Sequence, residues 1–153
     1  MSDSASTQNQ YASVSGLPQQ ATRTPNVLLT TAVAYTVSSA QSGSLFQLPS
    51  VGATITLPSP ANSKGCTYTF RMIANNGTTA WTIASTAGNV YGSAVQGATA
   101  LTPYPLAAGS TNCIFGTGCL VGDTIILSSD GTYYYVTGYS RYNTASTNGI
   151  SFS

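Results

Sequence analysis

The strongest constraint on the fold is a set of short runs that alternate polar and apolar residues, each cut off by a turn signal. CTYTFRMI sets Cys66, Tyr68, Phe70 and Met72 on one side and Thr67, Thr69, Arg71 and Ile73 on the other. A period of two is the signature of a β-strand with one buried face. ATITL (53–57) alternates in the same way, with Ile55 opposed to Thr54 and Thr56. It halts at Pro58-Ser59-Pro60, which a central strand cannot carry because proline has no N–H for the ladder. AWTIAS puts Trp81 and Ile83 on one face. Asn75-Asn76-Gly77 lies between it and CTYTFRMI, and Asn-Gly accepts positive φ cheaply. Residues 66–85 are therefore expected to form a hairpin.

DTIILS and TYYYVTGY flank Ser129-Asp130-Gly131, a second turn signal. Alternation places Tyr133 and Tyr135 on one face and Tyr134 with Val136 on the other. One face of this hairpin should pack a core, and the other should present an aromatic ridge. Earlier runs, VLLTTAVAYTV and LFQL, are rich in β-branched or large apolar residues. Residues 86–112 are rich in Gly, Ala and Pro and read as short strands around Val90-Tyr91 joined by long loops. No run longer than about ten residues carries helical spacing with caps, so at most one short helical turn is expected. The fold class is all-β: an antiparallel β-sandwich or β-barrel of short strands over 27–142. An extended or disordered N-terminal arm (1–26) and a C-terminal tail (143–153) flank it. The arm holds too few large apolar residues to order itself alone, and Tyr11, Val14 and Leu17 are its candidate contact points in an assembly.

Charge narrows the function. Among 153 residues there are four basic and three acidic side chains and no histidine, a charged fraction of 5% against about 25% in an ordinary globular protein. A net charge of +1 supplies neither the basic stripe expected of a nucleic-acid binder nor a polybasic segment for a membrane surface. Neither nucleic acid nor membrane is expected as a partner. Near-zero net charge favours association, and Ser/Thr-rich surface is buried against another subunit at less cost than charge. The composition thus leans toward a chain that works inside an assembly.

The opening MSDSASTQNQ is polar and lacks the apolar core of a secretory signal, so synthesis in a cytosol is expected. Cys66, Cys113 and Cys119 cannot all pair within one chain. In a reducing compartment the default is free thiols acting as small hydrophobes, with a Cys113–Cys119 bridge outside the cell left open.

Groups that do chemistry are scarce. A hydrolytic triad needs a base, usually histidine. A glycosidase needs two carboxyl groups facing across a sugar bond, and Asp123 and Asp130 both sit in ordinary turn contexts. Three scattered cysteines make no zinc site, and GTGCLVG lacks the strand–helix context of a dinucleotide loop. No enzyme activity, metal or cofactor is expected. The aromatic residues Trp81, Tyr91, Tyr104, Tyr133, Tyr134 and Tyr135 remain as candidate interface or ligand contacts, because Tyr and Trp anchor subunit interfaces and can also stack on sugar rings.

Taken together, ITLPSPANSKGCTYTF (55–70), GTTAWTIAS (77–85) and GDTIILSSDGTYYYVTG (122–138), with YTVSSAQSGSLFQL (35–48) before them, resemble a β-rich module of virus structural proteins. That module occurs in bacteriophage capsid decoration proteins, head fibres and tail fibres. The resemblance covers about 27–140, and the 86–121 excursion is longer than the module's usual linker. It implies a virion component, commonly trimeric, whose partners are the major capsid protein or other virion proteins. The size and N-terminal arm resemble those of a decoration, or cement, protein; the alternative is a fibre or tail tip that binds a host receptor or glycan.

Overall fold

The computed structural model describes residues 24–86, 89–97, 102–105, 109–141 and 149–153. In chain order the strands are β1 (Asn26–Leu28), β2 (Tyr35–Thr36), β3 (Leu45–Leu48), β4 (Thr54–Thr56), β5 (Thr67–Met72) and β6 (Trp81–Ala84). They are followed by β7 (Val90–Gln96), β8 (Thr102–Pro105), β9 (Asn112–Phe115), β10 (Thr124–Ser129), β11 (Tyr134–Ser140) and β12 (Ile150–Phe152). Seven strands form one sheet in the order β1-β3-β5-β10-β11-β7-β8, and five form a second in the order β12-β9-β6-β4-β2. The fold is all-β. Two 3₁₀ turns, Ser39–Gln41 and Pro60–Ser63, are the helical elements among the described residues, one more than the single turn expected.

Both sheets are mixed, so the expectation of an antiparallel arrangement does not hold. β1–β3, β3–β5 and β7–β11 pair in parallel in the larger sheet, as do β2–β4 and β4–β6 in the smaller. Four of these five parallel pairs arise from the path of the first half of the chain. Strands β1 to β6 fall alternately in the seven-stranded and five-stranded sheets. Each return to a sheet lays the next strand parallel to the last, and the crossover a parallel pair requires is made by a strand of the other sheet. The expected 66–85 hairpin is one step of this winding: β5 and β6 lie in different sheets.

Local chemistry explains why Asn75-Asn76-Gly77 does not reverse the chain. Asn76 is buried, and its side-chain amide donates to the carbonyls of Phe115 (3.1 Å) and Gly116 (3.0 Å). Its backbone N–H bonds the Cys119 carbonyl, and that of Gly77 bonds the Ser50 carbonyl. A residue held to two other segments acts as a strut rather than the tip of a tight turn.

The second expected hairpin forms as read. β10 and β11 pair antiparallel from Thr124↔Tyr139 to Ser129↔Tyr134. Asp130 Oδ1 accepts the N–H groups of Thr132 and Tyr133, each at 2.7 Å, and Gly131 supplies φ +98°, a conformation glycine adopts without a Cβ clash. At the far end, Ile150–Phe152 pair antiparallel with Cys113–Phe115, so the last residues of the tail form an edge strand.

One hydrophobic core draws on both sheets. Phe46, Tyr68, Phe70, Ile125, Leu127 and Tyr134 come from the larger, and Ile55, Trp81, Ile83, Phe115 and Ile150 from the smaller. Phe46 and Phe70, neighbours in register on β3 and β5, stack with ring centroids 4.9 Å apart. The alternation read for CTYTFRMI holds: Tyr68, Phe70 and Met72 are fully buried and Arg71 is exposed.

Candidate functional site: the outer face of the larger sheet

The candidate contact residues divide by burial. Trp81 and Tyr134 are fully buried, which removes them as surface contacts. The Trp81 indole N–H donates to the Pro49 carbonyl at 2.9 Å. The Tyr134 hydroxyl donates to the Pro58 carbonyl at 2.8 Å and shares a 2.6 Å bond with the Ser63 hydroxyl. Each is a large apolar body whose polar atom finds a partner inside. Tyr134→Phe is expected to cost about 1–2 kcal/mol, since the variant deprives buried oxygens of a partner. Urea unfolding should show a lower midpoint at an unchanged slope.

Tyr133 and Tyr135 are exposed by 39% and 46%, and Tyr91 is half-buried beside them. Tyr104 stands on β8 opposite Ala94 of β7. Tyr11, Val14 and Leu17 lie outside the described residues.

Strand register arranges the outward residues of the larger sheet in rows. Thr67, Ser128, Tyr135 and Tyr91 form one, crossing β5, β10, β11 and β7. Leu45, Thr69, Ile126, Thr137 and Ser93 form the next, and Gln47, Arg71, Thr124, Tyr139 and Val95 the third. The one charged side chain in these rows is Arg71, whose Nε donates to Thr124 Oγ1 at 3.4 Å. Ile126 and Tyr139 are exposed by 41% and 43%. They line a shallow groove of about 250 Å³ with Thr124, Thr137 and Gly138. Alternation along β10 already sets Thr124, Ile126 and Ser128 outward. The reading by aromatic residues passed over Ile126 because it is not aromatic, and over the threonines because they are small.

A second groove, of about 200 Å³, lies at the turn end of the same sheet and is lined by Tyr91, Tyr133 and Tyr135. Tyr91 and Tyr133 meet edge to face, with centroids 4.8 Å apart and planes at 74°. Tyr91 is also the register neighbour of Tyr135 across the parallel β7–β11 pair. The Tyr135 hydroxyl donates to Asp130 Oδ2 at 3.0 Å. Hydrogen bonds from the backbone N–H groups of Tyr133 and Thr132 hold the Asp130 carboxyl below its ordinary range, because they favour the ionised form. The same carboxylate pushes the Tyr135 hydroxyl up.

The other acid of the folded region is fully buried. Asp123 accepts from Leu120 N–H (2.9 Å) and the Ser140 hydroxyl (2.7 Å) through Oδ2, and from Arg141 N–H (3.0 Å) through Oδ1. It ties the 116–122 loop to the end of β11. Cys66, Cys113 and Cys119 are free thiols. Burial pushes Cys113 and Cys119 up to about 12, the nearby Asp123 charge adding to the effect at Cys119. At neutral pH both are protonated and therefore poor nucleophiles.

No family model, curated protein or solved structure matches this chain.

Proposed function

We propose that the chain is a structural protein of a virus particle, a decoration or cement protein that binds the outer surface of a capsid and stabilises the shell. In this reading the two sheets form a β-sandwich, the protein acts as a homotrimer, and its partner is the major capsid protein. It is made in the host cytoplasm and resides in the virion. The observation that carries the reading is the outer face of the larger sheet, where three rows across four or five strands hold Thr, Ser, Gln, Tyr, Ile, Val and Leu and one charge, Arg71. Such a face loses little on desolvation, because charges are the groups that resist burial most strongly.

The mechanism is mechanical. Apolar area removed from water contributes roughly 25 cal/mol per Å², and a protein that binds the assembled shell but not its free subunits stabilises assembly by mass action. The N-terminal arm, through Tyr11, Val14 and Leu17, would add contacts across neighbouring shell subunits.

Quantitative mass spectrometry of purified particles tests this. Copies in fixed proportion to the major shell subunit are expected. A handful per particle would replace this reading with the fibre-tip one, and absence from the particle would end both.

A further inference from the structure

We propose that the tyrosine groove beside the β10–β11 turn binds the guanidinium group of an arginine side chain presented by another protein. Three observations select this ligand. First, the groove walls are the rings of Tyr91, Tyr133 and Tyr135. Aromatic faces carry negative potential and attract a cation held within about 6 Å of the ring centre.

Second, Asp130 adds a full negative charge beside the Tyr135 wall, within hydrogen-bond distance of its hydroxyl. Its Oδ1 is occupied by two backbone N–H groups. Its Oδ2 accepts one hydroxyl, that of Tyr135, and a carboxylate oxygen has capacity for a second donor. Among the described residues no cation pairs with this carboxylate. The site is thus an ionised acceptor with aromatic walls that no cation among the described residues pairs with, although the Lys64 stem packs against Gly131 of the same turn.

Third, geometry separates guanidinium from its competitors. A pyranose ring stacks best on one broad open face, whereas Tyr91 and Tyr133 stand at 74° to each other and make a corner. A quaternary ammonium would suit aromatic walls but has no N–H to give Oδ2. Guanidinium is planar, sits against ring faces and donates to a carboxylate in the same pose. With Tyr135 already tied to Asp130, the acceptor and one wall are fixed in place before a ligand arrives. The inference stands apart from the shell reading, since a tail, a fibre or a host protein could each present the arginine.

The test uses the full chain and five probes: N-acetyl-arginine methylamide, its neutral citrulline isostere, free arginine, choline and methyl glucoside. Binding is followed through the tyrosine ring signals by NMR. Saturable shifts of Tyr91, Tyr133 and Tyr135 are expected with the arginine probe, with half-saturation on the order of millimolar for one exposed side chain. The citrulline probe should give none in that range. Asp130→Asn keeps an acceptor for the turn and should weaken the arginine probe about five- to tenfold, as should a rise in salt. Tyr135→Phe, which keeps the ring, should weaken it less.

No saturable shift with the arginine probe would overturn the proposal, as would equal binding of citrulline. Tighter binding of choline would make the groove an alkylammonium cage, and tighter binding of the glucoside a sugar platform; either result displaces it. Free arginine binding more tightly than the blocked form would mean an amino-acid site, which also counts against presentation by a protein. If Asp130→Asn failed to fold, the salt dependence and Tyr135→Phe would still decide the matter.

Discussion

Trp81→Ala is expected to lower stability by about 3–5 kcal/mol, the range for deleting a large buried aromatic side chain, and to leave the outer face of the larger sheet unchanged. Trp81 has no exposed surface and sits on β6 opposite Phe115 of β9. Backbone also packs tightly where β6 begins. A Cβ added at Gly52 would lie 2.3 Å from the Ala80 carbonyl carbon and 2.4 Å from the Trp81 nitrogen. The loop carrying Gly52 is therefore already in contact with the start of β6 and has little room to advance. The lost indole N–H also deprives the Pro49 carbonyl of its donor. Trp81→Phe separates these contributions: it keeps most of the volume and should cost about 1–3 kcal/mol, chiefly for the orphaned carbonyl. Urea unfolding of both variants at constant slope is the measurement. A domain of this kind holds about 5–15 kcal/mol in all, so Trp81→Ala should leave a protein that melts well below the parent. A change under 1 kcal/mol would mean that the indole is not enclosed.

The contrast between Trp81 and the tyrosines shows where sequence reading reaches its limit. Period-two alternation settles which residues share a face, and it did so for β5, β10 and β11. It does not settle which face is inward when both carry aromatic residues, and TYYYVTG is such a case. Tyr134 is inward because Val136 and Leu127 share its side and because Ser63 and Pro58 supply partners for its hydroxyl. Those partners lie about 70 residues away, at 71 and 76 positions' separation, beyond any local pattern.

Pairing direction was similarly hidden. Asn75-Asn76-Gly77 has the composition of a tight turn, and the composition cannot reveal that Asn76 is claimed by the carbonyls of Phe115 and Gly116. Among the described residues Asp130-Gly131 has no such distant hydrogen-bond partner; its hydrogen bonds reach at most five residues along the chain. That is why one turn signal gave the expected hairpin and the other marked a crossing between sheets. The tyrosine groove was half legible for the same reason. Tyr133, Tyr135 and Asp130 are local to one hairpin, whereas Tyr91 joins them through a parallel pairing that no short-range signal encodes.

Asp123 carries the other large expected effect. The carboxylate is fully buried, and its charge is met by donors from Leu120, Ser140 and Arg141 rather than by an ion pair among the described residues. Taking a carboxylate out of water is costly, and the arrangement is stable because hydrogen bonds replace hydration. Asp123→Ala deletes the acceptor and leaves the Leu120 and Arg141 N–H groups of the variant without it. A buried donor that loses its acceptor costs about 1–3 kcal/mol, so a total of about 3–5 kcal/mol is expected. Asp123→Asn retains one oxygen, which can serve Arg141 or Leu120 but not both, and should fall between Ala and the parent. The effect should also be local. Amide exchange at Leu120 and Arg141 should speed up in both variants before the rest of the larger sheet is affected, because these two N–H groups depend on the carboxylate directly. The Tyr134 N–H, bonded to the Asn89 carbonyl at 2.8 Å, is the internal control. If Asp123→Asn matched the parent in both stability and exchange, the three donors would not depend on the carboxylate. The loop from Gly116 to Gly122 would then owe its position to backbone bonds alone, among them Gly116 N–H to Gly149 and Gly122 N–H to Met72.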